Sequence, residues 1–228
     1  MCFVPSLKRS SRSNLGTRRR NAMQNRRLFL ALSFLLVIAT LSDGGRAAGT
    51  GPADTIHQFY DALLSTMQQG PTLGPKGRYA RLEPVIGETF DLPYMARIVV
   101  GPVWTRISAA QQRQMTDAFE RYVTATYADR FNSYDGQKLQ VTGERPRAAD
   151  AIVESRIVKA DGKAVAIRYL MHQNSGRWRV ADVYLDGTVS ELATRRSEFS
   201  SILQQQGIDG LTAILNRKAE ILAEGMAR

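Results

Sequence analysis

Residues 151–187 read "AIVESRIVKADGKAVAIRYLMHQNSGRWRVADVYLDG". The stretch alternates apolar and polar positions with a period of two and is rich in Val, Ile and Tyr, which marks β-strands. It divides into "AIVESRIVKA", "KAVAIRYLMHQ" and "RWRVADVYLDG". Asp161-Gly162 gives a two-residue hairpin signal, and Asn174-Ser175-Gly176 gives a second turn. With "KLQVTGE" at 138–144 before them, these segments predict four strands joined by tight turns, an antiparallel meander.

Upstream the period changes to that of a helix. "ADTIHQFYDALLSTMQQ" places Ile56, Phe59, Tyr60, Leu63, Leu64 and Met67 on one side, and "GPTLGPKG" is expected to break it. "RYARLEPVIGETF" is a shorter helical segment interrupted at Pro84. Asp91 is placed to cap "LPYMARIVVG", with Gly101 and Pro102 as the stop. Ser108 and Gln111 have capping-box spacing and open the longest of these helices, about residues 110–131. Downstream, "TRRSEFSSILQQQG" and "GLTAILNRKAEILAEGMA" return to helical spacing. The fold class is α+β, helices packed on one face of a curved antiparallel four-stranded sheet.

The N-terminus sets the compartment. "LFLALSFLLVIATL", residues 28–41, follows Arg26 and Arg27 and ends in small residues. It is shorter than the roughly 20 residues of a membrane span. Residues 1–48 therefore read as a cleavable secretory signal peptide, with Met23 as an alternative start, and 49–228 as a single domain in the periplasm. "NRRLFL" approaches a twin-arginine motif, but Asn25 and Ala31 depart from it, which favours the ordinary export route. No cysteine follows the apolar run, which argues against a lipoprotein.

The net charge of +10 belongs mostly to that leader, which holds nine of the 31 Lys+Arg and one of the 21 Asp+Glu. The mature chain keeps 22 basic and 20 acidic residues, too balanced for the basic stripe of a nucleic-acid binder. The one cysteine, Cys2, leaves with the leader, and His57 and His172 are the only histidines, so no His/Cys metal site is expected. About 180 residues must hold together by their core alone.

Chemistry is hard to place. Asp182 and Asp186 lie on one face of a strand, about 13 Å apart at ~3.3 Å per residue. That exceeds the separation of about 5–9.5 Å in carboxylate pairs that divide acid and base work. No nucleophile elbow or phosphate loop occurs. The helices offer Phe59, Phe90, Tyr94, Met95, Val99, Phe119, Tyr122 and Tyr127. The inward sides of the strands offer Val153, Ile157, Val165, Ile167, Tyr169, Val183 and Leu185. These residues suit a filled core and a ligand cavity equally, because both need the same side chains.

Two blocks carry a resemblance. "FDLPYMARIVVGPVWTRISAAQQRQMTDAFERYVTATYADRFNSYDG", residues 90–136, and "WRVADVYLDGTVSELATRRSEF", residues 178–199, resemble the MlaC, or toluene-tolerance, family of periplasmic lipid-binding proteins. The first matches at Phe90, Asp91, Met95, Ala96, Arg97, Gly101, Trp104, Tyr134 and Gly136. The second matches at Trp178, Asp182, Gly187, Ser190, Arg196 and Phe199. Between Gly187 and Arg196 the chain is one residue longer than the usual phospholipid carrier, and "SELATRRSEF" is closer to the hopanoid-biosynthesis-associated HpnM branch. The resemblance implies a monomeric shuttle without cofactor or catalysis. It would carry a phospholipid or hopanoid between an inner-membrane ABC transporter with an MCE-type protein and an outer-membrane complex. Lipid-binding candidates are Phe59, Phe90, Tyr94, Met95, Val99, Phe119, Tyr122, Tyr127, Val153, Ile167, Tyr169 and Leu185.

Within the second block, Trp178, Val180 and Tyr184 are expected to pack the last strand, with Gly187 turning off the sheet and Phe199 beginning the return helix. Asp182 and Arg196 are expected to form an ion pair pinning this seam. Two competing readings stay open: an NTF2-like enzyme using Tyr169, His172 or Asp182 as its titratable group, and a periplasmic adaptor with a solid core.

Overall fold

The computed structural model describes residues 51–186 and 188–225; the leader read at 1–48 and Gly187 lie outside them. Helix α1 covers Pro52–Gln68, α2 Gly70–Thr89 and α3 Leu92–Val100, followed by a 3₁₀ turn at Gly101–Arg106 and α4 at Ala109–Arg130. The sheet follows as β1 Lys138–Arg147, β2 Asp150–Val158, β3 Ala164–Asn174, β4 Arg177–Leu185 and β5 Val189–Ser190, and α5 spans Glu191–Glu224. Strand order follows chain order and every pairing is antiparallel.

The helix starts follow the caps expected from sequence. Asp91 accepts the Tyr94 N–H at the head of α3, and Ser108 and Gln111 form the reciprocal box at the head of α4. The fifth strand is new. Its two residues pair with Tyr184 and Leu185, a segment too short to show a period of two. The "GPTLGPKG" stretch is not a continuous break. Helical turns resume at Gly70, and the interruption is confined to Gly74, at φ 63 and ψ 179, with α2 continuing through Pro84. A similar break at Gly207 divides α5 into the two segments expected.

The hairpin turns exchange roles relative to the sequence reading. Lys159 N–H donates to Lys163 and Gly162 N–H donates to Lys159, so residues 160–162 form a three-residue loop with Gly162 in the left-handed region at φ 84. The two-residue turn is Ser175-Gly176, with positive φ at both and Asn174 paired to Arg177, the type I′ pattern.

Helices and sheet enclose one core. Ile56, Phe59, Leu63, Phe90, Val99, Phe119, Val153, Met171 and Val180 are among its buried members. Phe90 bridges to Val180, and Asp91 N–H donates to the Val180 carbonyl, which fixes the α2–α3 junction against the middle of β4.

The seam from β4 to α5 is held differently from the expected ion pair. Asp182 accepts from Val183 N–H at 2.8 Å, Ser190 Oγ at 2.6 Å and Leu192 N–H at 3.2 Å, while Ser190 Oγ accepts the Ala193 N–H. Asp182 thus holds the first turn of α5, where the helix dipole favours a negative charge. Arg196 lies one turn further on and faces the 3₁₀ turn instead: its guanidinium packs over Gly101, where a Cβ would come within 3.1 Å of Nε. Trp178 packs against the core from its edge, and Val180 and Phe199 are buried.

Candidate functional site

A cavity of about 610 Å³ lies between α4, the start of α5 and one end of the sheet. That is the size range of small-molecule pockets. From α4, Phe119, Tyr122, Val123, Thr126 and Tyr127 face it; from the sheet, Ile157, Val165, Ile167, Val183 and Leu185 do. These strand residues cluster where β2 and β4 end and β3 begins, so the cavity belongs to that end of the sheet.

The helical face of α4 and the period of β3 explain the apolar lining. Tyr122, Thr126 and Phe119 sit three to four residues apart on one stripe, and Val165 and Ile167 are two apart on one face of their strand. An aromatic layer closes one side. Phe59 packs edge-on against Phe90 and Tyr127, with centroids at 5.3 and 5.5 Å, and Tyr127 stacks on Phe131 at 5.7 Å. Burial pushes the Tyr127 hydroxyl well above its usual pKa, so it stays neutral.

Charged side chains gather around the opening. Asp129, Arg130, Lys159, Glu191 and Arg195 all line the cavity and all are part-exposed, whereas Phe90, Met95, Phe119 and Leu192 are buried. The Arg195 guanidinium lies 5.5 Å over the Tyr122 ring and pairs with Glu198 at 2.8 Å. Behind this end, buried Arg78 donates from Nε to the Ala128 carbonyl at 2.7 Å and from Nη1 to the Gly70 carbonyl at 3.0 Å. Gly70 itself approaches so closely that a Cβ there would stand 2.1 Å from the Asn132 carbonyl oxygen.

Of the residues expected to touch a ligand, Phe90, Met95, Phe119, Tyr122, Tyr127, Ile167 and Leu185 lie on the cavity wall. Phe59, Tyr94, Val99, Val153 and Tyr169 lie behind it. Val99 and Val153 are fully buried core. Tyr94 packs edge-on against His172 at 4.8 Å. The Tyr169 hydroxyl bonds to that of Tyr60 at 3.1 Å, which bonds in turn to Ser155 Oγ, which donates to the Ile167 carbonyl. Periodicity gave the facing side of each element but not the depth at which a side chain ends. Several of the wall residues missed, among them Arg130, Asn132, Gln137, Lys159 and Glu191, sit at or between helix and strand ends, where periodicity has little to say, whereas Met67 lay on the apolar side of its helix by period without being read as a contact.

None of the three titratable candidates of the enzyme reading, Tyr169, His172 and Asp182, lines the cavity. His172 is seven residues along β3 from Val165, roughly 23 Å. Its Nε2 bonds to Asp91 at 2.8 Å, and Asn174 Nδ2 donates to the same carboxylate at 2.6 Å. Burial opposes ionisation of Asp91, but these bonds and the Tyr94 N–H outweigh it and hold the carboxyl below its usual pKa. Among the described residues no cluster of three His, Cys, Asp or Glu could hold a metal ion, and no helix is long and apolar enough to cross a membrane.

Comparison with known proteins points to the same architecture. The chain is 28% identical over 211 residues to the intermembrane phospholipid transport system binding protein MlaC of Haemophilus influenzae, covering 87% of this chain and 96% of that one. A phospholipid-binding protein from Ralstonia solanacearum, solved in complex with a phospholipid, superposes with a TM-score of 0.66 at 23% identity, over 75% of this chain and 98% of that one. The family model described as MlaC protein matches residues 57–217, and the chain belongs to the MlaC family.

Proposed function

We propose that this protein is a periplasmic lipid carrier. It encloses the acyl chains of a phospholipid, or the apolar body of a hopanoid-type lipid, and shuttles it between inner and outer membranes as the soluble component of an ABC-type transport system. The observation that carries this reading is the cavity of about 610 Å³, apolar inside and charged at its mouth. Leaving an acyl chain in water costs about 0.8 kcal/mol per CH₂, so a carrier must enclose the chain while keeping the polar headgroup wet. Phe90, Met95, Phe119, Tyr122, Tyr127, Ile167 and Leu185 take the chains in this reading, and Arg130, Lys159 and Arg195 face the headgroup. The names of the two relatives, one a transport binding protein and one a phospholipid-binding protein, support it. The mouth would meet an MCE-type transporter complex at the inner membrane and a second complex at the outer membrane, with the carrier a monomer in transit.

The test is mass spectrometry of organic extracts from residues 49–228 purified without detergent. A stoichiometric phospholipid or hopanoid is expected and names the cargo. A lipid-free protein that melts cooperatively, and that takes up no lipid from vesicles, would overturn the reading in favour of an adaptor.

A further inference from the structure

The alternation that points Ile157, Val165, Ile167, Val183 and Leu185 into the cavity points their strand neighbours the other way. Register carries this outer face across the sheet. Lys138 pairs with Val158 and Gln140 with Arg156; beyond the bulge between Val141 and Gly143, Arg145 pairs with Ile152 and Arg147 with Asp150. On β3, Arg168 stands between Glu154 and Tyr184. Solvent reaches this face. The side chains of Arg145, Arg168 and Glu154 are 55%, 42% and 40% exposed, and Lys138, Arg147 and Arg156 are exposed as well.

Its charge is one-sided. Lys138, Arg145, Arg147, Arg156 and Arg168 share the face with three carboxylates, Asp150, Glu154 and Asp182. Asp182 is buried and turned to the first turn of α5, so it offers little to the surface. Residues 49–228 hold 22 basic and 20 acidic side chains, and the 17 of each sign that lie elsewhere cancel. The whole excess therefore sits on the outer face of the sheet. Its guanidinium groups are braced: Arg145 and Arg168 both approach Glu154 Oε1 at 3.5 Å, and Arg156 donates to Gln140 Oε1 at 2.8 Å. Apolar anchors are scarce. Ile152, between Arg145 and Leu170, is buried, and the large hydrophobics exposed among the described residues, Tyr134 and Val189, lie off this face.

We propose that the outer face of the sheet docks on a bilayer that carries anionic phospholipid. Basic side chains are drawn to such a surface over about one Debye length, and no apolar core is needed. A specific protein interface instead needs apolar or aromatic anchors at its centre, and this face exposes no large apolar residue. Attraction by charge alone is weak and reversible, which leaves the protein free to return to solution. The inference goes beyond the carrier reading: it concerns the side of the sheet away from the cavity and needs no ligand inside.

The test is co-sedimentation of residues 49–228 with vesicles of phosphatidylcholine, alone or mixed with phosphatidylglycerol. The wild type is expected to bind the mixed vesicles at least about tenfold more strongly than the zwitterionic ones. It should come off at about 1 M salt, where the Debye length falls to about 3 Å. Arg156→Glu with Arg168→Glu should remove the preference. Lys138→Glu with Arg147→Glu should remove it too, and guards against a folding defect in the first pair. Arg113→Glu with Lys218→Glu makes the same change of charge at exposed positions of α4 and α5 and should keep binding within about threefold of wild type. Equal binding to both kinds of vesicle, binding that persists at high salt, or equal losses in the sheet and helix variants overturns the docking face.

Discussion

The two ends of the sheet are built on opposite plans. Where β3 finishes, Asp91 gathers His172, Asn174 and the Tyr94 N–H on one buried carboxylate, and directional bonds close the structure. Where β3 begins, apolar side chains face one another across a space, and the charged groups around it are part-exposed. One end is therefore closed by directional bonds, whereas at the other the side chains line a space without filling it. The open end is not unsupported, because Arg78 ties its helical side from behind, joining the carbonyls of Gly70 and Ala128.

That contrast breaks first at Arg78. Arg78→Met leaves two buried carbonyls without their donor and is expected to cost about 3 kcal/mol or more in urea unfolding. A loss below about 1 kcal/mol would mean that the open end is held by other contacts. Next comes Asp91→Ala, which removes a helix cap and two further partners. It should cost about 2 kcal/mol while leaving lipid loading unchanged, since the carboxylate is not on the cavity wall. The same carboxylate makes the closed end sensitive to acid. Its folded pKa lies below the unfolded one, so its contribution is complete above about pH 4 and disappears as pH falls through the lower folded value. Asp91→Asn should flatten the acid limb of a stability profile, and an unaltered limb would place the sensitivity elsewhere.

The open end should answer in the reverse sense. Val165→Trp fills existing space instead of crowding a packed core. It is expected to lower co-purified lipid about tenfold, equivalent to about 1.4 kcal/mol of binding, with little change in the melting midpoint. The smallest effect belongs to the rim. Glu198→Gln removes one charged partner of Arg195 from a part-exposed pair and should change stability by less than about 1 kcal/mol in the same urea assay.

The parts legible in the sequence were those governed by near neighbours. Ser108 and Gln111 signalled a box that the structure forms, Asp91 signalled a cap, and the alternation from Ala151 to Leu185 signalled the strands. Pairings across long stretches of chain were hidden. Arg78 reaches a carbonyl fifty residues away and gives no local pattern. Asp182 was read toward Arg196, because opposite charge was visible, and instead it holds Ser190 and the backbone of α5. On the wall, Phe119 and Ile167 followed from period, but Gln137 did not. It stands in the turn before β1, where no period runs, and is held by the Asp135 N–H.

Strand order coincides with chain order, and this has a kinetic consequence. Each strand pairing closes only a short loop, which costs little chain entropy and favours early formation. The helical side of the cavity is closed by α4 against β2, β3 and β4, over longer stretches of chain. The helical side of the cavity is therefore expected to assemble after the meander. In the proposed carrier, cargo would leave through partial opening of the helical side while the meander keeps its register.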